Sequence, residues 1–123
     1  MRNDPLYHVA VNWDDIPATD LRPGVRRKIY ATDEVLLSWH ELQVGMQANP
    51  HRHEDFDQLV LILRGRCNYH VDGVAHPLGP GGILLVPRGA LHHIEPTEGP
   101  CVNVDVFAPP RGDLADAAWR PGS

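Results

Sequence analysis

A chain of 123 residues can bury one real core but not two, so a single domain spanning 1–123 is expected. The formal net charge is −5 and no block of Lys and Arg could neutralise a row of phosphates, which argues against a nucleic-acid partner. Two cysteines, Cys67 and Cys101, are too few for a disulfide framework and match no C-x-x-C ligand spacing; both are expected to be reduced packing residues.

The opening stretch MRNDPLYHVAVNWDDIP is broken by prolines and acids. It lacks the apolar run of a signal peptide or a membrane span, so a cytoplasmic protein with no membrane contact is expected. Residues 1–24 read as an N-terminal arm, about 25–110 as the core and 111–123 as a C-terminal tail. The 12 prolines and 11 glycines are spread throughout, and no window carries a long apolar stripe at helical period. The chain therefore reads as mostly β. The predicted strands are VRRKIYA, EVLLSWHELQV, FDQLVLILR, GRCNYHVDG, GGILLVP and CVNVDVF, each rich in branched or aromatic residues and bounded by turn signals. Asp72-Gly73 predicts a type I′ hairpin turn between NYHV and VAHPL. The tail GDLADAAWRPGS reads as a short helical turn or a loose end.

Three stretches carry more information. In NPHRHEDFDQ, His51 and His53 alternate onto one face of an extended segment, and two imidazoles aimed the same way suggest the start of a metal site. In FDQLVLILRG the Gln58, Val60, Ile62 face and the Leu59, Leu61, Leu63 face are both nearly apolar, so one should line the interior and a partner should cover the other. In CVNVDVF, Val102, Val104 and Val106 form an apolar face opposite the mixed face of Cys101, Asn103, Asp105 and Phe107. That mixed face reads first as solvent-facing and alternatively as the lining of a polar cavity. His8, His40, His70 and His76 are read as surface or strand-paired residues, with His40 and His70 the nearest to pocket donors. His93 should point away from His92.

Two motifs resemble those of the cupins. Gly45, five residues, His51-Arg-His53, four residues, Gln58, six residues and Gly65 reproduce the first, with glutamine where glutamate is usual. Gly81, five residues, Pro87-Arg-Gly89, two residues and His92 reproduce the second. The resemblance implies an all-β, double-stranded β-helix (jelly-roll) barrel holding one divalent transition metal on His51, His53, Gln58 and His92. Asp57 is the alternative fourth ligand. Three imidazoles leave open positions for water or substrate and suit Zn, Ni, Mn, Fe and Co alike. Four neutral ligands leave the ion's charge uncompensated. That favours anionic ligands and Lewis-acid chemistry over stabilising a trivalent state, so non-redox chemistry is the first expectation.

The last strand adds a narrower resemblance. Asp105-Val-Phe107-Ala-Pro-Pro-Arg111, with GVRRKIYA near the start, is similar to the small KdgF-like cupins of pectin and alginate breakdown, which ketonise 4,5-unsaturated monouronates. Carried over by position, Asp105 is the acid/base group, Phe107 a wall of the substrate pocket and Arg111 a clamp for the substrate carboxylate. Arg suits bidentate carboxylate binding. Arg88, Met46 and Asn49 are departures that would reshape the pocket. The expectation is a metal-dependent isomerase acting on a small anionic, sugar-derived or enol substrate, and a homodimer that covers the second apolar strand face. The alternatives are a cupin dioxygenase using Fe, Mn or Ni and a non-catalytic, metal-assisted binding protein.

Overall fold

The structure is a computed structural model describing residues 5–122. After a 3-10 turn at Trp13–Asp15, the chain forms β1 (Thr19–Arg22), β2 (Val25–Ala31), β3 (Leu36–Leu42), β4 (Gln58–Val71), β5 (Val74–Leu78), β6 (Ile83–Val86), β7 (His92–Phe107) and a short helix, α1 (Gly112–Ala115). Every pairing is antiparallel. The sheet runs β1-β2-β3-β7-β4-β5, with β6 alongside β4. The fold is thus all-β and jelly-roll-like, as the sequence leads one to expect, with a hydrogen-bonded path that runs from β1 to β5 without closing on itself. No helix among the described residues is long and apolar enough to cross a membrane.

Alternation sets the inner face. In β2, Val25, Ile29 and Ala31 are buried. In β4, Gln58, Val60 and Ile62 point inward and are nearly inaccessible, while Leu59 and Leu63 point out and stay exposed. Cys67 and Cys101 are buried and unbridged in the main core with Val60, Ile62 and Tyr69.

FDQLVLILR and GRCNYHVDG, expected as two strands, are one. Gly65 does not end the strand but bends it, at φ +70, where the β4–β7 register slips between Ile62 and Cys67. A Cβ at Gly65 would lie 2.6 Å from the carbonyl oxygens of both Glu98 and Pro100, so backbone passes where a side chain would stand. The Asp72-Gly73 turn has φ of 48° and 81°, the paired positive values a type I′ turn requires. Asp72 also exchanges hydrogen bonds with Leu91. Its N–H donates to the Leu91 carbonyl at 2.8 Å and its carboxylate accepts the Leu91 N–H at 2.9 Å. This ties the hairpin to the residue before His92.

On the outer face two apolar rows cross the sheet. Leu37, Val106, Leu59 and Leu85 lie opposite one another in one row, and Trp39, Val104, Leu61 and Ile83 in the next. The β3 end of these rows is covered. Trp13 packs on Trp39 at 6.4 Å between centroids, and Lys28 lies over the Trp39 ring and donates to the Trp13 carbonyl at 2.7 Å. The β4–β6 end is open, with Ile83 67 % and Leu85 58 % exposed.

Candidate metal centre

His51 and His53 precede β4, and His92 opens β7. Backbone pairing brings them together. The His51 N–H donates to the His92 carbonyl at 3.0 Å, the His92 N–H donates back at 2.9 Å, and the Gly89 N–H donates to the His53 carbonyl at 2.7 Å. The ligand-type nitrogens of His51, His53 and His92 consequently lie within 4.8 Å of one another, close enough to share one ion.

Backbone carbonyls also orient the rings. His51 Nδ1–H donates to the Asn49 carbonyl at 2.7 Å and His92 Nδ1–H to the Ala90 carbonyl at 2.9 Å, which leaves each Nε2 lone pair free. Burial, helped by the Arg111 charge, lowers the His53 pKa to about 4, and burial lowers that of His92 as well. Both rings are therefore neutral near pH 7. Buried polar atoms normally have partners. Among the described residues four such side-chain atoms have none, and three of them, His53 Nε2, His92 Nε2 and Gln58 Oε1, belong to the predicted ligand set, the fourth being Asn103 Oδ1. Such a set of unpaired lone pairs fits a metal ion. Gln58 Nε2 donates to the Tyr69 hydroxyl at 3.2 Å, so the amide nitrogen is occupied while the oxygen is free. Asp57 is turned outward, accepting the Arg88 backbone N–H at 2.9 Å and its side-chain Nε–H at 3.3 Å, and takes no part in the cluster.

The cluster opens into a cavity of about 490 Å³. Asn103, Asp105 and Phe107 line it, so the mixed face of CVNVDVF faces a polar cavity and not bulk solvent. The reason is that the segment ahead of β4 lies over that face, with His53 and Phe56 packed on Phe107 and Met46, Asn49 and His51 lining the same cavity, which a single strand's pattern does not reveal. Asp105 accepts the Asn103 Nδ2–H at 2.9 Å. Burial pushes its carboxyl up to about 7, more than the Gln58 hydrogen bond and the Arg111 charge pull it down. His40 is a pocket residue, correcting its reading as surface or strand-paired. It contacts the Ser38 hydroxyl at 3.2 Å, and its Nδ1 is 3.6 Å from Asp105. Burial, then the charges of Arg27 and Arg22, hold its pKa near 3, so the His40–Asp105 contact is not an ion pair at neutral pH. Ser38 and His40 sit across from Asp105 and Asn103 in the β3–β7 register. That register was the missing signal for Ser38 and His40.

Phe107 is buried and stacks edge-on to His53 at 5.8 Å, forming a wall. Arg111 lies over Phe107 at 5.2 Å, but its guanidinium fork is engaged by both Asp113 carboxylate oxygens. The expected carboxylate clamp is thus already holding a carboxylate of its own chain. Met46 and Asn49 line the cavity; Arg88 does not, being spent on Asp57. His70 stacks on His93 at 4.4 Å and meets Glu95 at 2.9 Å, away from His92.

A model of the cupin domain matches residues 38–107. The chain is 26% identical over 102 residues to the pectin degradation protein KdgF of Dickeya dadantii, covering 82% of this chain and 93% of that protein. Among solved structures, KdgF from Halomonas sp. superposes with a TM-score of 0.78 at 27% identity, covering 84% of this chain and 94% of that one. An RmlC-like cupin from Shewanella frigidimarina also has a TM-score of 0.78, at 22% identity, covering 88% and 96%. The polyketide cyclase RemF from Streptomyces resistomycificus follows at 0.69 and 24%, covering 84% and 80%.

Proposed function

Because the chain belongs to the cupin family, we propose that it is a metal-dependent enzyme acting on a small anionic, sugar-derived or enol substrate, and most sharply that it ketonises 4,5-unsaturated monouronates. The observation that carries this reading is a cavity lined by His51, His53, Gln58 and the buried Asp105 carboxyl, with the buried His92 converging on the two histidines from behind that lining. The likeness to KdgF, a pectin degradation protein, points to the uronate version.

His51, His53, Gln58 and His92 would hold the ion. When bound, a divalent transition metal on these neutral donors supplies Lewis-acid polarisation of a substrate oxygen. Ketonisation of the cyclic substrate breaks the C1–O5 hemiacetal bond, moves the C1 hydroxyl proton to C4 and leaves carbonyls at C1 and C5, with no other reactant. Asp105 carries that proton, held in orientation by the Asn103 amide on one carboxyl oxygen. Phe107 walls the substrate, and the N–H groups of Arg111 not spent on Asp113 orient a substrate oxygen. A homodimer covers the open β4–β6 end of the outer apolar rows.

The test begins with elemental mass spectrometry of the purified protein. About one metal per chain is expected, lost in His51→Ala and reduced in Gln58→Ala. The metal-replete protein should then consume 4,5-unsaturated galacturonate, and Asp105→Asn should abolish turnover while keeping the metal. A protein that neither carries nor takes up metal would overturn the reading.

A further inference from the structure

The cavity is cationic in a chain that is anionic overall. Arg22, Arg27, Arg52 and Arg111 line it, and Asp105 and Asp113 are the acids among the lining residues. These arginines differ in what they already hold. Arg111 is forked by Asp113, and Arg22 donates to the Gln47 carbonyl at 3.3 Å. Elsewhere, Arg26 meets Asp20 at 3.5 Å and Glu41 at 3.9 Å, and Arg88 meets Asp57 at 3.3 Å. Neither Arg27 nor Arg52 has a carboxylate oxygen within 4.0 Å among the described residues, but Arg52 is exposed to water and Arg27 is half-buried.

Its position is unusual for an unpaired cation. In β2 the residues alternating with Arg27, Val25 and Ile29, are both buried, so Arg27 is on the inner face and is itself half-buried. A partly desolvated guanidinium without a counter-ion is costly unless a ligand supplies one. Arg27 pairs across the sheet with His40, and His40 with Asn103, so one row of the inner face leads from Arg27 to the strand that carries Asp105. Strands lie about 4.8 Å apart, which puts β2 and β7 roughly 10 Å from each other across β3. A sugar-sized acid can bridge that gap. Arg27's charge is also felt at His40, where it is the largest contribution after burial.

We propose that Arg27 is the residue that recognises the substrate's carboxylate, gripping it at the β2 wall of the cavity while the reacting carbons lie toward Asp105 and the histidines. Arg111, already forked by Asp113 and lying over Phe107, has only its remaining N–H groups for other substrate oxygens. The assignment rests on the anionic-substrate reading above. It makes Arg27 a specificity determinant that selects acids over neutral sugars of the same shape, with its planar fork suited to bidentate contact.

The probes are D-galacturonate and its methyl ester, titrated calorimetrically into the metal-replete protein. Wild type should bind the acid at least about tenfold tighter than the ester, and Arg27→Met should reduce acid binding to the ester's level while leaving ester binding in place. Arg27→Lys, which keeps the charge but not the fork, should retain part of the preference, and it serves as the second variant where Arg27→Met does not fold. A preference that survives Arg27→Met, or that disappears in Arg111→Met instead, overturns the assignment, as does a wild type without preference. Turnover of 4,5-unsaturated galacturonate separates this from the reaction. Absent turnover with Arg27-dependent acid binding intact sinks the uronate reaction and supports the carboxylate site. Turnover by Arg27→Met at an unchanged KM sinks the site and leaves the reaction standing.

Discussion

At Gln58 the side-chain amide is divided between two tasks, and Tyr69 decides which end does which. The Tyr69 hydroxyl accepts from Nε2, so the oxygen is the end left without a partner at the cavity that His51 and His53 also line. Removing that hydroxyl in Tyr69→Phe leaves a buried N–H poorly satisfied and frees the amide to turn. We expect a stability loss of about 1–2 kcal/mol by denaturant titration. Metal affinity should fall by roughly tenfold in a competitive chelator assay, because partners of ligands tune affinity on that scale. Asp105 gives a pH-dependent counterpart. Its folded pKa of about 7 lies above the ordinary 3.8, so the folded state holds a proton that the unfolded state releases. Stability contributed by the protonated form is therefore full below pH 3.8 and is lost as pH rises toward 7. The gap corresponds to roughly 4 kcal/mol at most. In metal-stripped protein Asp105→Asn should accordingly raise Tm at pH 8 and do little at pH 4; a pH-independent difference would refute the buried-carboxyl account. The positions of the histidines and Gln58 were legible from motif spacing, whereas Asp105 and Phe107 came only from the likeness of the last strand to the KdgF-like cupins, since parity alone read their face first as solvent. Arg27, Ser38 and His40 were not legible, because their membership of the cavity depends on which strands lie side by side.

Among the elements, β4 and β7 are the two long strands, and both place ligands by starting at the cavity and running past a bend. The bend in β4 needs Gly65, where a positive φ coincides with two carbonyl oxygens 2.6 Å from a would-be Cβ. Gly73 has a similar φ of 81° but open space around it. Alanine at the two sites therefore separates backbone strain from steric conflict. Gly73→Ala should cost about 1 kcal/mol. Gly65→Ala should cost clearly more, about 3 kcal/mol or above, since backbone must move. Thermal melts of the pair check this, and equal losses would mean that β7 yields freely. The sequence signals for strands were strong wherever branched residues alternate, and β2 was read over its observed span. They failed at Gly65, read as a separator although a bulged strand tolerates it. They also failed over His92–Pro100, where the proline-rich and charged half of β7 is held by pairing to β4 instead of by its own propensity.

Over the whole molecule, the inner face spends its surface on the cavity while the outer face carries two apolar rows that the chain itself covers only in part. The N-terminal stretch, which carried no functional signal in the sequence, supplies that partial cover through Trp13 and Lys28. The cover stops at β7, because Leu59, Leu63, Ile83 and Leu85 all remain exposed on adjacent strands. A contiguous apolar patch of this kind on a small domain favours association, and a sheet face of this kind can be covered by its own copy through two-fold symmetry. Leu85 sits in the outermost strand of one row, so Leu85→Glu introduces a charge into the middle of a symmetric contact, where it meets apolar surface or its own copy. Sedimentation velocity over a micromolar-to-millimolar series should show the wild type as a dimer and Leu85→Glu as a monomer, with metal content unchanged because the inner face is untouched. A wild type that sediments as a monomer throughout the series would show that the exposed rows are tolerated without a partner, and the homodimer would have to be abandoned.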